Sequence, residues 1–258
     1  NQLGDAAASA FGASINHNQV ELNDNHITDA GIKAFENNSY YQEVSLAGNH
    51  ITDQGAKSFT KLPNLLILNL ERNQIGNAGA TAILKGKTRI ANLKLGKNLL
   101  TDDIVKLCVE RYFSFLSLGS YLTDKSVPQI LQIRAEKIDL SDNLLTDKGA
   151  MQLVNMPSEA LSLAGNNITD KTAVYFASQR IRFQLIDFSR TQITDQGAIA
   201  LGTTNLYFEM LFAHDGLTDA SANAIAAKAG SIYLDISYNH ISPAGIQALR
   251  NNYYIYLT

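Results

Sequence analysis

The chain has 258 residues, 45% of them hydrophobic, and a formal charge of -3. That composition excludes disorder and supplies a large core, while the near-neutral charge argues against a protein whose main task is covering nucleic-acid phosphates. The one cysteine, Cys108, excludes an internal disulfide and fits a reducing compartment such as a cytosol, and no apolar run reaches the roughly 20 residues of a membrane-spanning helix.

The first residues, NQLGDAAASAF, lack the basic and apolar regions of a signal peptide. They align instead with NQIGNAGATAI further on, which puts Asn1 at a recurring loop position. A first complete unit, VELNDNHITDAGIKAF, starts at Val20 and recurs from Val44 as VSLAGNHITDQGAKSF and from Leu68 as LNLERNQIGNAGATAI, a step of 24 residues. Units follow from Leu93, Leu116, Ile138, Leu161, Ile186, Met210 and Leu234, at steps between 22 and 25. Self-similarity at such a period marks a solenoid.

Each unit opens on apolar residues two apart, such as Val44 and Leu46, which predicts a strand of about three residues with one buried face. Asn follows in seven units, at Asn25, Asn49, Asn73, Asn98, Asn143, Asn166 and Asn239. It is expected to satisfy turning backbone groups. An aliphatic residue and Thr-Asp come next and predict a helix start, with Thr28 or Thr52 as cap and the Asp beside the positive helix end. The helix should bury one face, pairing Ala56 with Phe59, Ala80 with Ile83 and Ala198 with Leu201. No unit can bury its own apolar edge, but stacked units can. Eleven strands are expected if Ile255 and Leu257 form the last. Residues 1–258 then read as a single domain of about eleven repeats, cut within a repeat at both ends, so a longer native chain is expected. One unit departs from the pattern: SLGSYLTD, from Ser117, is a residue short, lacks the Asn and precedes Pro128, which predicts a local kink or change of curvature.

The pattern LxLxxNxITDxGAxxL resembles the leucine-rich repeat superfamily, in its ribonuclease-inhibitor-like branch with a helix in every repeat, over nearly the whole chain. NxITDxGAxxL at about 24 residues is similar to the leucine-rich-repeat effectors that intracellular bacterial pathogens deliver into host cells. The resemblance implies an α/β leucine-rich repeat solenoid, an arc or horseshoe with parallel strands on the concave face and short helices on the convex face. It implies binding of a partner protein on the concave surface. The expectation is a monomeric, non-enzymatic module without cofactor, metal, nucleic acid or membrane insertion. It would be secreted into a host cytosol and bind a host protein if an effector, and be cytoplasmic otherwise. The alternative is the recognition arm of a larger enzyme, a ubiquitin ligase or GTPase regulator, with its catalytic domain outside this chain.

Three features could carry chemistry instead. GKT at Gly86 to Thr88 matches the end of a phosphate-binding loop, but Thr81 stands where a Gly is needed, and a helix precedes it rather than follows. His26, His50 and His240 share the position after the Asn, which reads as a rim of exposed imidazoles. Cys108 takes the repeat position of Phe35, Phe59 and Phe176, which points into the core.

Specificity should therefore lie where the repeats differ, on outward strand positions. The candidates for the protein-binding face are Leu185, Asp187, Leu211, Tyr233, Asp235, Tyr254 and Tyr256, tyrosine and aliphatic anchors beside charges. A competing reading has Tyr254 and Tyr256 contacting a missing cap.

Overall fold

The computed structural model describes residues 2–257 except 37, 180, 205–208, 229–231 and 253, so the expectation for Asn1 lies outside the described residues. The chain divides into two units, residues 1–122 with 128–139, and residues 123–127 with 140–258.

The first unit holds strands β1 (Gln19–Glu21), β2 (Glu43–Ser45), β3 (Ile67–Asn69), β4 (Asn92–Lys94), β5 (Tyr112–Ser117) and β6 (Arg134–Asp139). Neighbours in sequence pair in parallel, aligning Val20, Val44, Leu68, Leu93, Leu116 and Ile138 in one buried column. The second unit holds β7 (Ala160–Ser162), β8 (Leu185–Asp187), β9 (Glu209–Leu211), β10 (Ile232–Asp235) and β11 (Ile255–Leu257), with Leu161, Ile186, Met210, Leu234 and Leu257 aligned in the same way. Parallel pairing follows because a helix carries the chain back between consecutive strands. The three-residue strands match the sequence pattern except at β5 and β6, which have six residues each, and β10, which has four.

Helices range from one turn at Asp53–Ala56, continued as a 3-10 turn at Lys57–Phe59, to nine residues at Asn77–Lys85 and Asp170–Ser178. Their expected inner faces, Ala56 with Phe59, Ala80 with Ile83 and Ala198 with Leu201, are wholly buried. Aromatic rings tie successive repeats together. Phe35 and Phe59 lie 6.2 Å apart in the first unit, and Phe176, Phe188 and Phe212 stand at 5.7 and 6.2 Å in the second. Each such pair adds about 0.5–1.5 kcal/mol beyond area burial.

The buried Asn residues form a ladder. Asn73 donates through Nδ2 to the carbonyls of Leu46 (2.9 Å), Leu70 (3.1 Å) and Glu71 (3.1 Å), and its Oδ1 accepts from the Ile51 amide at 3.0 Å. Asn49 and Asn98 repeat this in the first unit, Asn166 and Asn239 in the second. The residue before each of these Asn residues lies in the left-handed region, with φ of 53° at Arg72, 68° at Gly48 and 55° at Tyr238. Gly48 also leaves space: a Cβ there would sit 2.3 Å from Asp24 Oδ1 and 3.3 Å from Arg72 Nη1. Arg72 thus reaches across one repeat to Asp24 at 2.8 Å, and Arg190 reaches Asp142 across Gly165 at 3.0 Å.

The repeated Asp has a role that the sequence reading did not give it. Thr52 caps its own helix as expected, its Oγ1 accepting from the Gln54 amide. The preceding repeat's Asp29, however, directs its carboxylate away from its own helix, accepting from Thr52 N at 2.8 Å and Thr52 Oγ1 at 2.6 Å. The same staple links Asp5 to Thr28, and in the second unit Asp124 to Thr146, Asp147 to Thr169, Asp170 to Thr194, Asp195 to Thr218 and Asp219 to Ser242. Gly55 is its counterpart, since a Cβ there would lie 2.3 Å from Asp29 Oδ1. In ITDQGA, then, Thr caps its helix, Asp staples the next repeat, and Gly admits the carboxylate of the previous one.

Burial alone would raise these carboxyls, but at Asp147 the hydrogen bonds from Thr172 and Thr169 outweigh it and hold the group below the usual carboxylate range, as Thr28 does for Asp5 and Thr218 with Ser221 for Asp195. Their contribution to stability is present above the unfolded value near 4 and is lost as pH falls through the lower folded values.

Candidate functional site

Cys108 ends the helix Val105–Cys108 and is completely buried. Burial pushes its thiol up to about 12 against the opposing charge of Arg111, which leaves no nucleophilic thiolate at neutral pH. GKT follows the helix Asn77–Lys85, with Gly86 as C-cap donating to Ile83 O, and the buried Thr88 donates through Oγ1 to Phe59 O at 3.2 Å. A recess of about 590 Å³ beside it is lined in part by Lys87, Arg89 and Arg111. Arg111 directs its guanidinium at backbone, donating to Leu84 O at 2.8 Å and Thr88 O at 2.6 Å. The segment is a helix end fastened to the preceding repeat by Thr88 and to the following one by Arg111, the residue before β5. His26 and His50 stack at 5.9 Å, and among the described residues no group of three or more His, Cys, Asp or Glu is placed to hold a metal ion. Nor, among them, is any helix long and apolar enough to cross a membrane.

Six of the seven candidate residues come together as two rows on the outward side of the second unit's sheet. In one row Leu185 opposes Glu209, Glu209 opposes Tyr233, and Tyr233 opposes Tyr256. In the other, Leu211 stands between Asp187 and Asp235. Tyr233 and Tyr256 are about half exposed, at 52% and 48%, and their rings stack at 4.9 Å with planes 22° apart. Tyr254 is exposed just before β11, outside both rows, where its carbonyl accepts from the Ile232 amide. Local hydrogen bonds fix the carboxylates. Asp187 accepts from Ser162 Oγ (2.8 Å) and Ser189 N (2.9 Å), and Asp235 from Ser237 N at 2.8 Å. Among the described outward positions of β7–β11 there is no Lys or Arg.

The first unit's outward side differs. Lys94 lies 5.2 Å over the Phe115 ring. Ser45 and Ser117, at outward strand positions, are buried among polar neighbours: Ser45 donates to Asn23 Oδ1 and accepts from Asn69, and Ser117 donates to Glu71 Oε1. Asn69 on β3, and Asn23 and Glu71 in the loops after β1 and β3, meet hydroxyls too short to reach past them.

Two features escaped sequence reasoning. His214 and Tyr238 stack at 4.3 Å with planes 7° apart, both at left-handed positions before the ladder residue. Asp215 occupies a ladder position with one carboxylate oxygen buried and unpartnered. The signal for Asp215 was present, because it aligns with the repeated Asn. On the helix side of the second unit, an open recess of about 650 Å³ is lined by Met151, Val174 and Tyr175 among others.

Residues 18–75 match a family model described as "Leucine rich repeat", and residues 184–202 and 232–249 match a second one, "Leucine Rich repeat". No curated protein matches the chain. Among solved structures, the chain is similar to a TDR receptor, at 15% identity over 100% of this chain and 45% of that one, with a TM-score of 0.49. It is similar to an internalin (inlF) from Listeria monocytogenes, at 15% identity over 96% of this chain and 88% of the internalin, with a TM-score of 0.43. A plant peptide hormone receptor, RGFR1 in complex with RGF2, gives 16% identity over 97% of this chain and 52% of its own, with a TM-score of 0.39. The chain therefore spans about half the length of either receptor. With parallel strands in sequence order, a buried Asn after each of most strands and a helix returning to the next, the chain folds as an α/β leucine-rich repeat solenoid.

Proposed function

We propose that the chain is a non-catalytic protein-binding module whose contact surface is the outward side of β8–β11, and that its partner presents Lys or Arg beside an apolar residue. The exposed Tyr233–Tyr256 stack, in register with the carboxylates around Leu211, carries this reading. Rigid aromatic rings bury large area at low entropy cost and make effective anchors. Asp187 and Asp235 flank Leu211 from neighbouring strands, and Glu209 adds a third carboxylate in the other row. A cation brought there meets acids that local hydrogen bonds already hold in place, and a tyrosine face can take its charge.

The biological setting is read from the repeat pattern. NxITDxGAxxL at about 24 residues supports the recognition part of a secreted bacterial effector, acting as a monomer on a host protein in the host cytosol. An Asp187→Lys, Asp235→Lys double variant is expected to lose the partner captured from host cytosol while keeping the wild-type thermal midpoint within a few degrees. Undiminished capture by that variant would rule out a cationic partner on this face.

A further inference from the structure

One rung of the Asn ladder is chemically odd. Thr191, Asp215 and Asn239 occupy the ladder position in three successive repeats. Asn239 makes the ladder contacts, Nδ2 donating to Phe212 O at 2.7 Å and Ile236 O at 2.9 Å and Oδ1 accepting from the Leu217 amide at 3.0 Å, and it also accepts from the Asp215 amide at 2.9 Å. Asp215 has the same shape without the amide hydrogens. Its Oδ1 accepts from Thr191 N at 2.7 Å and Thr191 Oγ1 at 3.2 Å, while the Ile193 amide, which an Asn oxygen would serve, bonds to Thr191 Oγ1 at 3.3 Å. Its Oδ2, the atom that replaces an amide nitrogen in the sequence, is buried and has no donor.

By ladder register, the carbonyls that an amide would serve at this rung are those of Phe212, three residues earlier, and Phe188, one repeat before that. They correspond to Leu46 and Leu22 for Asn49. A carboxylate oxygen facing carbonyl oxygens is repelled, whereas a carboxylic acid offers them an O–H. The charged surroundings favour the proton as well. Asp187 on β8 repels a second negative charge, while Arg190, which would favour it, is engaged by Asp142 at 3.0 Å. The neighbouring His214 is exposed and stacks on Tyr238.

We propose that Asp215 is a proton-binding rung, completing the ladder as the neutral acid and loosening the loop between β9 and the helix Asp219–Ala227 when it loses the proton. Burial is the main cause, pushing the carboxyl up to about 7 against the opposing hydrogen bonds of Thr191. A folded value raised above the unfolded one contributes stability that is fully present below the unfolded value near 4 and is lost as pH rises through about 7. Asp5, Asp147 and Asp195, held below the usual carboxylate range, have the opposite sign, so the two effects occupy separate pH ranges. The proton rung does not depend on any partner of the strand face.

The test compares urea midpoints of the 258-residue chain and its Asp215→Asn variant from about pH 5 to 8.5. Asn supplies the missing hydrogens at every pH, and other titrating groups cancel in the difference. The variant's advantage is expected to grow steadily from the acid end up to about pH 7 and then to level off. A difference that does not change with pH overturns the proposal, and so does an Asn variant that fails to fold, since the ladder is built for that amide. Carboxyl-carbon NMR of the unmodified chain gives a second reading: an Asp215 inflection near 7 supports the assignment, and one near the ordinary 3.8 overturns it.

Discussion

Replacing Asn73 with Ala is expected to lower the unfolding free energy by about 1–3 kcal/mol, the cost of leaving a buried polar group unsatisfied. The substitution strands the Ile51 amide and removes one donor from each of the carbonyls of Leu46, Leu70 and Glu71, which keep Asn49 Nδ2, Asn98 Nδ2 and the Gly48 amide. Those groups belong to two successive repeats, so the damage is shared across the seam rather than confined to one loop. Arg72 would also lose the restraint that holds its φ at 53°. Urea denaturation measures the change, and a loss below about 0.5 kcal/mol, the size of an ordinary surface substitution, would mean that the ladder is not a source of stability. Asn73→Asp is the more discriminating variant. It should copy the chemistry of Asp215, with its penalty growing as pH rises.

The second large effect is expected at Gly55. In an exposed helix, Gly→Ala gains about 1 kcal/mol from propensity. Here the added Cβ would lie 2.3 Å from Asp29 Oδ1 and 2.8 Å from Ile51 Cγ2. The clash should reverse the sign and destabilise by about 1–3 kcal/mol, as overpacking does elsewhere. Removing the carboxylate relieves the nearer contact, so Gly55→Ala should cost clearly less in an Asp29→Ala background. Additivity of the two changes within about 0.5 kcal/mol in a double-mutant cycle would contradict the staple.

The parts of the fold that were legible in the sequence are those set by short-range chemistry. Val44 and Leu46 announce a strand, Thr52 a cap, and Ala56 with Phe59 a buried helix face, because each signal involves neighbours a few residues apart. What the sequence concealed depends on the distance between repeats. Asp29 can serve its own helix or the next Thr, and only the stacking places Thr52 within 2.8 Å. Gly55, two positions after Asp53, held the clue, since a helix seldom keeps Gly without a reason of space. The candidate face was legible in its order from β7 to β10, from the alternation of each strand, but not in its exposure, and at β11 the register sets Tyr256 rather than Tyr254 beside Tyr233. Ser45 and Ser117 are covered by Asn23, Asn69 and Glu71, whereas Tyr233 and Tyr256 project far enough to remain open. Asp215 was hidden for a different reason: the repeat shows an Asp at the Asn position, but only the stacked repeats leave one of its carboxylate oxygens buried without a donor.

The most direct test of the binding face compares two paired variants in quantitative capture from host cytosol. One, Tyr233→Ala with Leu211→Ala, strips the outward side of the sheet. The other, Val174→Ala with Tyr175→Ala, strips the apolar recess on the helix side and serves as the control, since both of its residues are exposed at about 40% (41% and 39%). The strand-face pair should lose the captured partner by at least about tenfold, equivalent to roughly 1.4 kcal/mol, while the helix-side pair retains it. Capture unchanged by the first pair, or abolished by the second alone, would place recognition elsewhere.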